Sequence, residues 1–217
     1  MENKSFDVII IWWGASWIFC ATQINSPSNI LIIEWSNSPA QKLSLSAKWR
    51  GNVTNISVNP KHDYVSDNIT FVENAFKHYW VFDFLHFLED IWIDIIEEDF
   101  WRILLKSNNV QDLKYKLLEI CERKRIQFSY NTKIQEIKII KNSFNIITDN
   151  WEFLTKNLVI ATWWPSFPKL WASPIAAEIA RLFWLGITPF YPALTWFETS
   201  QDFSSLSWSS IIWTLEL

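Results

Sequence analysis

The chain has 217 residues, 49% of them hydrophobic, which is enough for one large domain or two small ones with a sizeable core. Its formal net charge is −4 and it has no long basic run, so neither a nucleic acid nor a membrane surface is an expected partner. Cys20 and Cys121 are too few for a disulfide framework or a tetrahedral metal site. They fit a reducing compartment, and we expect a cytoplasmic protein.

The apolar run from Phe6 to Ala21 is shorter than a membrane-spanning helix of ~20 residues. It also lacks the basic start and the small-residue cleavage site of a signal peptide. We therefore interpret it as a buried strand followed by a helix.

Strands and helices alternate along the chain. Strands are predicted at 7–11, 29–33, 93–96, 126–130, 134–141, 143–149 and 158–162, helices at 18–24, 81–91, 112–124 and 172–183, and an extended segment at 187–193. The strands at 134–141 and 143–149 are predicted to form a hairpin, and residues 35–60 are polar and rich in turn residues. The helix at 81–91 is predicted to have an apolar face of Phe82, Leu85, His86 and Leu88. This order predicts a mixed α/β fold with a parallel central sheet.

The tryptophan content is unusual. The chain has 16 Trp and 3 Gly, whereas glycine at its usual ~7% would give roughly 15 residues. Trp92 and Trp184 directly follow predicted helices, at the position where a left-handed glycine commonly ends a helix. Trp151 follows Asn150 between two strands, where Asn-Gly would form a tight turn. We interpret most of the tryptophans as glycines, as would arise if UGA codons that encode glycine in some bacterial lineages were translated as tryptophan.

A genuinely Trp-rich protein is the alternative interpretation, for example a carbohydrate-binding module with exposed aromatic platforms. Such a module would carry its tryptophans on strand faces or clustered on one surface. It would also lack a dinucleotide-binding turn, and the sequence does contain a candidate for one.

That candidate turn follows the first predicted strand. With glycine at the tryptophans, the segment from Val8 reads VIIIGGGASG, which places G-x-G-x-x-G at residues 12, 14 and 17. Small residues there allow a tight turn, a close approach of the backbone to pyrophosphate and packing of the helix on the strand. Glu34, 22 residues after Trp12, has the spacing of the acid that binds the adenosine ribose. The predicted cofactor-binding residues here are Trp12, Trp13, Gly14, Ala15, Ser16, Trp17 and Glu34.

A second motif runs from Lys42 to Asn55. With glycine at Trp49, it resembles the signature K-x-x-x-S-G-x-G-R-C-N-x-T-N of the BaiN-like NAD(P)/FAD-dependent oxidoreductases, also known as the aminoacetone oxidase family. Residues 97–102 (EEDFWR) resemble the family's E-x-x-x-G-R segment, and residues 161–168 (ATWWPSFP) resemble its A-T-G-G-x-S-Y-P segment. The similarity covers essentially the whole chain, although Gly51 stands where the family has cysteine.

The resemblance implies a Rossmann-type FAD-binding domain. NAD(P)H would reduce FAD, and the flavin would pass hydride to an unidentified small organic acceptor. The flavin supplies the chemistry, so we assign no catalytic side chain and expect no metal. By resemblance, the further cofactor contacts are Lys42, Ser46, Arg50, Asn52, Val53, Thr54, Ile134, Thr162 and Trp163.

The domain organisation follows from the same resemblance. Residues 1–190 are predicted to form the FAD-binding domain, and residues 191–217 the start of an inserted β-rich portion. Family members are longer, so we expect a continuation beyond Leu217. The rival hypothesis is a truncated or Trp-bearing product that binds no flavin and has no activity. The oligomeric state stays open.

Overall fold

The computed structural model describes residues 3–12, 14–24, 28–40, 43, 50–161 and 175–187. All of these except Ile187 lie in one compact unit, Met1–Gly186. The predicted β-rich portion at 191–217 lies outside the described residues. The same holds for five of the predicted cofactor contacts, namely Trp13, Lys42, Ser46, Thr162 and Trp163.

The described strands and helices alternate along most of the chain. The strands are β1 (Asn3–Trp12), β2 (Ile30–Glu34), β3 (Asn52–Asn55), β4 (Ile95–Glu98), β5 (Arg102–Leu105), β6 (Gln127–Ser129), β7 (Ile134–Ile140), β8 (Ser143–Thr148) and β9 (Glu152–Ala161). The helices are α1 (Ala15–Gln23), α2 (Pro60–Asp63), α3 (Ile69–His78), α4 (Val81–Asp90), α5 (Val110–Arg123) and α6 (Ile175–Leu182), with a 3₁₀ turn at Asp99–Trp101.

The main sheet has six strands in the order β6-β2-β1-β9-β8-β7. The strands β6, β2, β1 and β9 are mutually parallel. Strands β7 and β8 form the predicted antiparallel hairpin, and β8 pairs antiparallel with β9. Every residue of β2 is buried, as expected for a continuous apolar strand covered on both faces. The predicted α/β fold with a parallel central sheet is confirmed.

Alternation along the central strands fills two cores, one on each face of this sheet. Ile10 of β1 packs on the side of α1 and α5, and Ile9 and Ile11 pack on the side of α6. The period of two in a strand produces this division. Burial of each such aliphatic side chain contributes roughly 1.5–3 kcal/mol, so the two cores fix the register of β1 between its neighbours.

A smaller antiparallel sheet, in the order β3-β5-β4, is not hydrogen-bonded to the main one but shares a core with it through Leu105. The sequence predicted β4 but neither β3 nor β5. It also missed α2 and α3, neither of which has a buried residue. The predicted apolar face of α4 is partly wrong, because Val81 and Leu88 are buried whereas Phe82 is 49% exposed.

Of the three turn predictions at tryptophans, two are confirmed and one is wrong. Trp92 and Trp184 have φ values of 61° and 56°, so the predicted left-handed residues after α4 and α6 are confirmed. The predicted Asn-Gly type turn at Trp151 is wrong, because neither Asn150 nor Trp151 has a positive φ. The side chain of Thr148 instead accepts a hydrogen bond from the Trp151 N–H at 2.9 Å. In the described part of the chain, no helix combines the length and apolarity needed to cross a membrane.

Candidate dinucleotide-binding site

Three parallel strands end at the same level and define one edge of the main sheet. Trp12 of β1 lies opposite Glu34 of β2 on one side and Ala161 of β9 on the other. The predicted cofactor-binding segments that follow β2 and β9 therefore start at the same edge of the sheet as the turn after β1. Ligands of open α/β sheets bind at this carboxyl edge.

The turn after β1 leads directly into a helix. Gly14 is buried, with φ 140° and ψ −172°, a backbone conformation that side chains rarely adopt. Helix α1 begins at Ala15, and Ser16 is exposed. The first N–H groups of a helix have no partner within it, so this end favours an anion.

Glu34 is the most unusual charged residue at this edge, since its side chain is fully buried. Its Oε1 accepts hydrogen bonds from the Ser36 N–H and hydroxyl, each at 2.9 Å. Its Oε2 is buried and has no hydrogen-bond partner. Burial raises the pKa of Glu34 from an ordinary 4.5 to about 7, against the opposing effect of the Ser36 hydrogen bonds. One enclosed carboxylate oxygen thus lacks a hydrogen-bond partner at the position predicted to bind ribose.

The segment after β6 is hydrogen-bonded to the backbone of Glu34 and Ser36. The Thr132 N–H donates to the Glu34 carbonyl and the Asn131 N–H donates to the Ser36 carbonyl, both at 3.1 Å. Tyr130 stacks on Phe128 with ring centroids 5.5 Å apart. Ile134, one of the predicted cofactor contacts, begins β7 two residues beyond Thr132. The sequence did not single out Ser36 or Thr132, although a hydroxyl two residues after a strand-ending acid was a usable signal.

A cavity of 470 Å³ lies beside the start of α1. It brings together five residues that the sequence assigned to cofactor binding, namely Ala15, Ser16, Asn52, Val53 and Thr54. The other lining residues are mostly apolar, and most of them lie on α1, α3, α4 and α5. They include Phe19, Phe76, Phe84, Leu113 and Leu117. The motif after β2 and the turn after β1, about 40 residues apart in sequence, thus share one cavity.

Arg50 has other partners than the resemblance implies. Its guanidinium pairs with Glu98 and donates to Asn108 Oδ1 at 2.9 Å. The Arg50 hydrogen bond holds the pKa of Glu98 below its ordinary value. Arg50 is not one of the described residues that line the cavity. Its implied contact with the cofactor stays a prediction.

Trp17 occupies the third small position of the predicted turn. Its indole is fully buried and meets Phe128 edge-on, with ring centroids 5.9 Å apart. The indole Nε1 has no hydrogen-bond partner, although buried indoles usually have one. Helix α1 therefore packs on the sheet through a large side chain, where the dinucleotide motif calls for close contact between helix and strand.

The described residues include no group of three His, Cys, Asp or Glu side chains arranged to hold a metal ion. The free Oε2 of Glu34, the Gly14 backbone and the exposed start of α1 fit the ADP half of a dinucleotide. Glu34 would hold the ribose and the α1 N–H groups the pyrophosphate. Asn52, Val53 and Thr54 would then face the remainder of the cofactor.

Sheet order, turn and acid together define a Rossmann-type dinucleotide-binding domain. The family model of the HI0933-like protein Rossmann domain matches residues 6–199, and the chain belongs to this family.

Two curated relatives are similar to the chain. It is 28% identical over 187 residues to the ribosomal RNA dihydrouridine synthase of Escherichia coli, covering 86% of this chain and 46% of the relative. It is 26% identical over 211 residues to the protein of the same name from Haemophilus influenzae, covering 94% and 52%. The chain thus spans about half the length of these relatives. Among solved structures, the 3-ketosteroid dehydrogenase of Rhodococcus jostii is similar with a TM-score of 0.49 and 10% identity, over 74% of this chain and 46% of that one.

Proposed function

We propose that the chain is the FAD-binding part of an NAD(P)H-dependent flavoprotein reductase. The observation that carries the proposal is the buried, unpartnered Oε2 of Glu34, at the same sheet edge as the Gly14 turn. A ribose hydroxyl is a donor of the right kind for this oxygen, and the start of α1 suits pyrophosphate. When bound, the flavin supplies hydride chemistry, and this chain holds and orients it.

FAD is favoured over NAD(P) as the resident cofactor because of the second motif. The turn and Glu34 suit the ADP half that both dinucleotides share. Asn52, Val53 and Thr54 line the same cavity as Ala15 and Ser16, and their motif resembles flavin-contacting segments rather than those of simple NAD domains. NAD(P)H would therefore act as a transient reductant.

The test uses the full-length protein with glycine at those tryptophan positions that UGA codons encode. It should purify yellow, release FAD on denaturation, and lose flavin absorbance when NADH or NADPH is added without oxygen. Glu34→Ala should weaken FAD binding by about tenfold to hundredfold, because a hydrogen bond to a charged group contributes about 1.5–3 kcal/mol. Glu136→Ala, an exposed carboxylate on β7, is the matched control and should bind normally. A colourless protein that binds NADH tightly would refute the proposal.

The names of the two curated relatives favour uridine in ribosomal RNA as one candidate acceptor. In that reaction a hydride and a proton add across the C5–C6 double bond of uracil, while NAD(P)H is oxidised to NAD(P)⁺. This candidate conflicts with our expectation that a net charge of −4 excludes a nucleic-acid partner. Mass spectrometry of rRNA from cells with and without the gene distinguishes an RNA acceptor from a small organic acceptor. Dihydrouridine lost with the gene supports the RNA acceptor, and an unchanged level supports a small organic acceptor.

A further inference from the structure

Three tryptophans adopt a backbone conformation that suits glycine. The φ angles are 61° at Trp92, 61° at Trp101 and 56° at Trp184. For a bulky L-residue this left-handed region is a steric outlier, because Cβ approaches the following carbonyl oxygen. Glycine has no Cβ and adopts the region freely.

Trp92 and Trp184 end their helices through the same hydrogen bonds. After α4, the Ile93 N–H donates to the Leu88 carbonyl and the Trp92 N–H to the Glu89 carbonyl, both at 2.9 Å. After α6, Leu185 donates to Ala180 and Trp184 to Arg181, both at 3.0 Å. This pair of bonds is the Schellman motif, whose left-handed residue is usually glycine.

The indoles of Trp92 and Trp184 gain almost nothing from packing that would offset the strained backbone, and that of Trp101 gains only part of its area. Trp92 is 87% exposed, Trp184 is 96% exposed and Trp101 is 56% exposed. Tryptophan is normally a largely buried residue. Large exposed rings on strained backbone are therefore unfavourable on two independent grounds.

Positive φ alone does not require glycine in this chain. Arg125 ends α5 through the same two bonds with φ 56°, and the exposed Phe100 has φ 62°. The other described left-handed residues besides the tryptophans and glycines are Ala40, Asn108, Asn131 and Lys141. Asparagine tolerates this region well and the arginine remains solvated. The distinguishing observation is that three indoles occupy such positions in a chain with 16 Trp and 3 Gly.

Trp17 gives an independent observation at the site itself. Its indole is fully buried with an unpartnered Nε1, between α1 and Phe128. A glycine here would remove the unpaired donor and let α1 approach the strand, as a dinucleotide-binding turn needs.

We infer that the functional protein carries glycine at positions 17, 92, 101 and 184, and that glycine at position 17 decides whether the turn after β1 accepts a dinucleotide. The second half of this inference rests on the proposed function, whereas the first half does not.

Peptide sequencing by tandem mass spectrometry, on the protein from its own cells, tests the first half directly. Glycine at positions 17, 92, 101 and 184, together with UGA codons in the gene, is the expected result. Tryptophan in these peptides, or UGG codons, would overturn the inference.

Thermal unfolding of the full-length Trp-bearing protein gives a physical test. Replacing Trp92, Trp101 and Trp184 together with glycine should raise Tm by at least about 2 °C, because three strained residues are relieved. Trp151→Gly is the matched control, since Trp151 is partly exposed without positive φ and has Lys4 above its ring at 3.9 Å. Its Tm should fall. A triple variant that melts as low as the control would count against glycine.

Flavin binding tests the second half. The protein with glycine at every position that a UGA codon encodes is compared, by FAD titration, with the same protein retaining tryptophan at position 17. The retained Trp17 should weaken FAD binding by at least about tenfold. Equal binding by both would overturn the role of position 17. If neither binds FAD, the proposed function and this role fail together, while the peptide masses still decide the identity of the four residues.

Discussion

Replacing Glu34 with glutamine should remove a large pH dependence from the stability of the cofactor-free protein. Burial raises the pKa of Glu34 to about 7 in the folded protein from an ordinary 4.5. The folded state therefore holds this proton more tightly than the unfolded chain does. The resulting contribution to stability is fully present below pH 4.5 and is lost as the pH rises through about 7.

The magnitude follows from the size of the pKa shift. At 1.36 kcal/mol for each pKa unit, ionisation of Glu34 costs the folded state up to about 3 kcal/mol. Hydrogen bonds from Ser36 and from the Trp35 backbone reduce this cost but do not cancel it, because burial is the largest effect. The glutamine variant keeps an amide oxygen for the Ser36 hydrogen bonds and has no charge to bury.

Urea unfolding between pH 4 and pH 8 or so measures the difference. The unfolding free energy of the unmodified protein should fall relative to that of Glu34→Gln across this range, mostly between pH 4.5 and about 7. The exposed Glu136→Gln is the control and should keep the profile of the unmodified protein. Parallel profiles for Glu34→Gln and the unmodified protein would refute the argument.

The same carboxyl predicts how pH affects cofactor binding. A ribose hydroxyl that donates to Oε2 stabilises the carboxylate, so binding lowers the pKa of Glu34. Affinity for an ADP-containing ligand should therefore rise with pH through about 7, with release of a proton. Affinity that is constant over this range, measured by calorimetry in buffers of different ionisation enthalpy, would argue against a hydrogen bond to Glu34.

Three further substitutions test the scaffold around the site, each by urea unfolding. Gly51→Ala should destabilise the fold by about 1–3 kcal/mol, because φ is +73° and a Cβ would lie 3.1 Å from Leu105 Cδ1; an unchanged midpoint would contradict this. Lys124→Met should cost about 0.5–1.5 kcal/mol, since the ammonium donates to the Thr22 and Ile24 carbonyls at the end of α1, and Lys116→Met is the exposed control. Leu88→Ala should cost about 2–5 kcal/mol because Leu88 is fully buried, whereas the half-exposed Phe82→Ala should cost less.

Those parts of the fold whose apolar pattern is local could be predicted from the sequence. The continuous apolar runs of β1 and β2, the helical spacing of Leu113 and Leu117, and the β7–β8 hairpin all required only neighbouring residues. Glu34 followed from its spacing after the turn. Its raised pKa did not, because the burial comes from strands and turns that meet only in the folded chain.

The missed elements depend on distant partners or on weak local signals. Strand β3 is polar, with sequence Asn-Val-Thr-Asn, and pairs with β5 about 50 residues later. No pattern within β3 itself indicates that partner. Helix α3 has no buried residue, although Asn68, whose side chain accepts from the Phe71 N–H, is a recognisable N-cap. That cap was the available signal.

The location of the site follows from the strand order rather than from any one motif. Strand β1 lies between β2 and β9. The chain passes from β1 through α1 to β2 on one side, and it reaches β9 on the other side only after β8. At such a switch point the loops diverge and leave a crevice at the carboxyl edge. The turn at Gly14 and the acid at Glu34 flank that point on neighbouring strands. Motif residues that are 20 residues or so apart thereby become the two sides of one ligand site. Trp17 matters there because its buried indole fills the space between the helix that forms this site and Phe128 of the sheet.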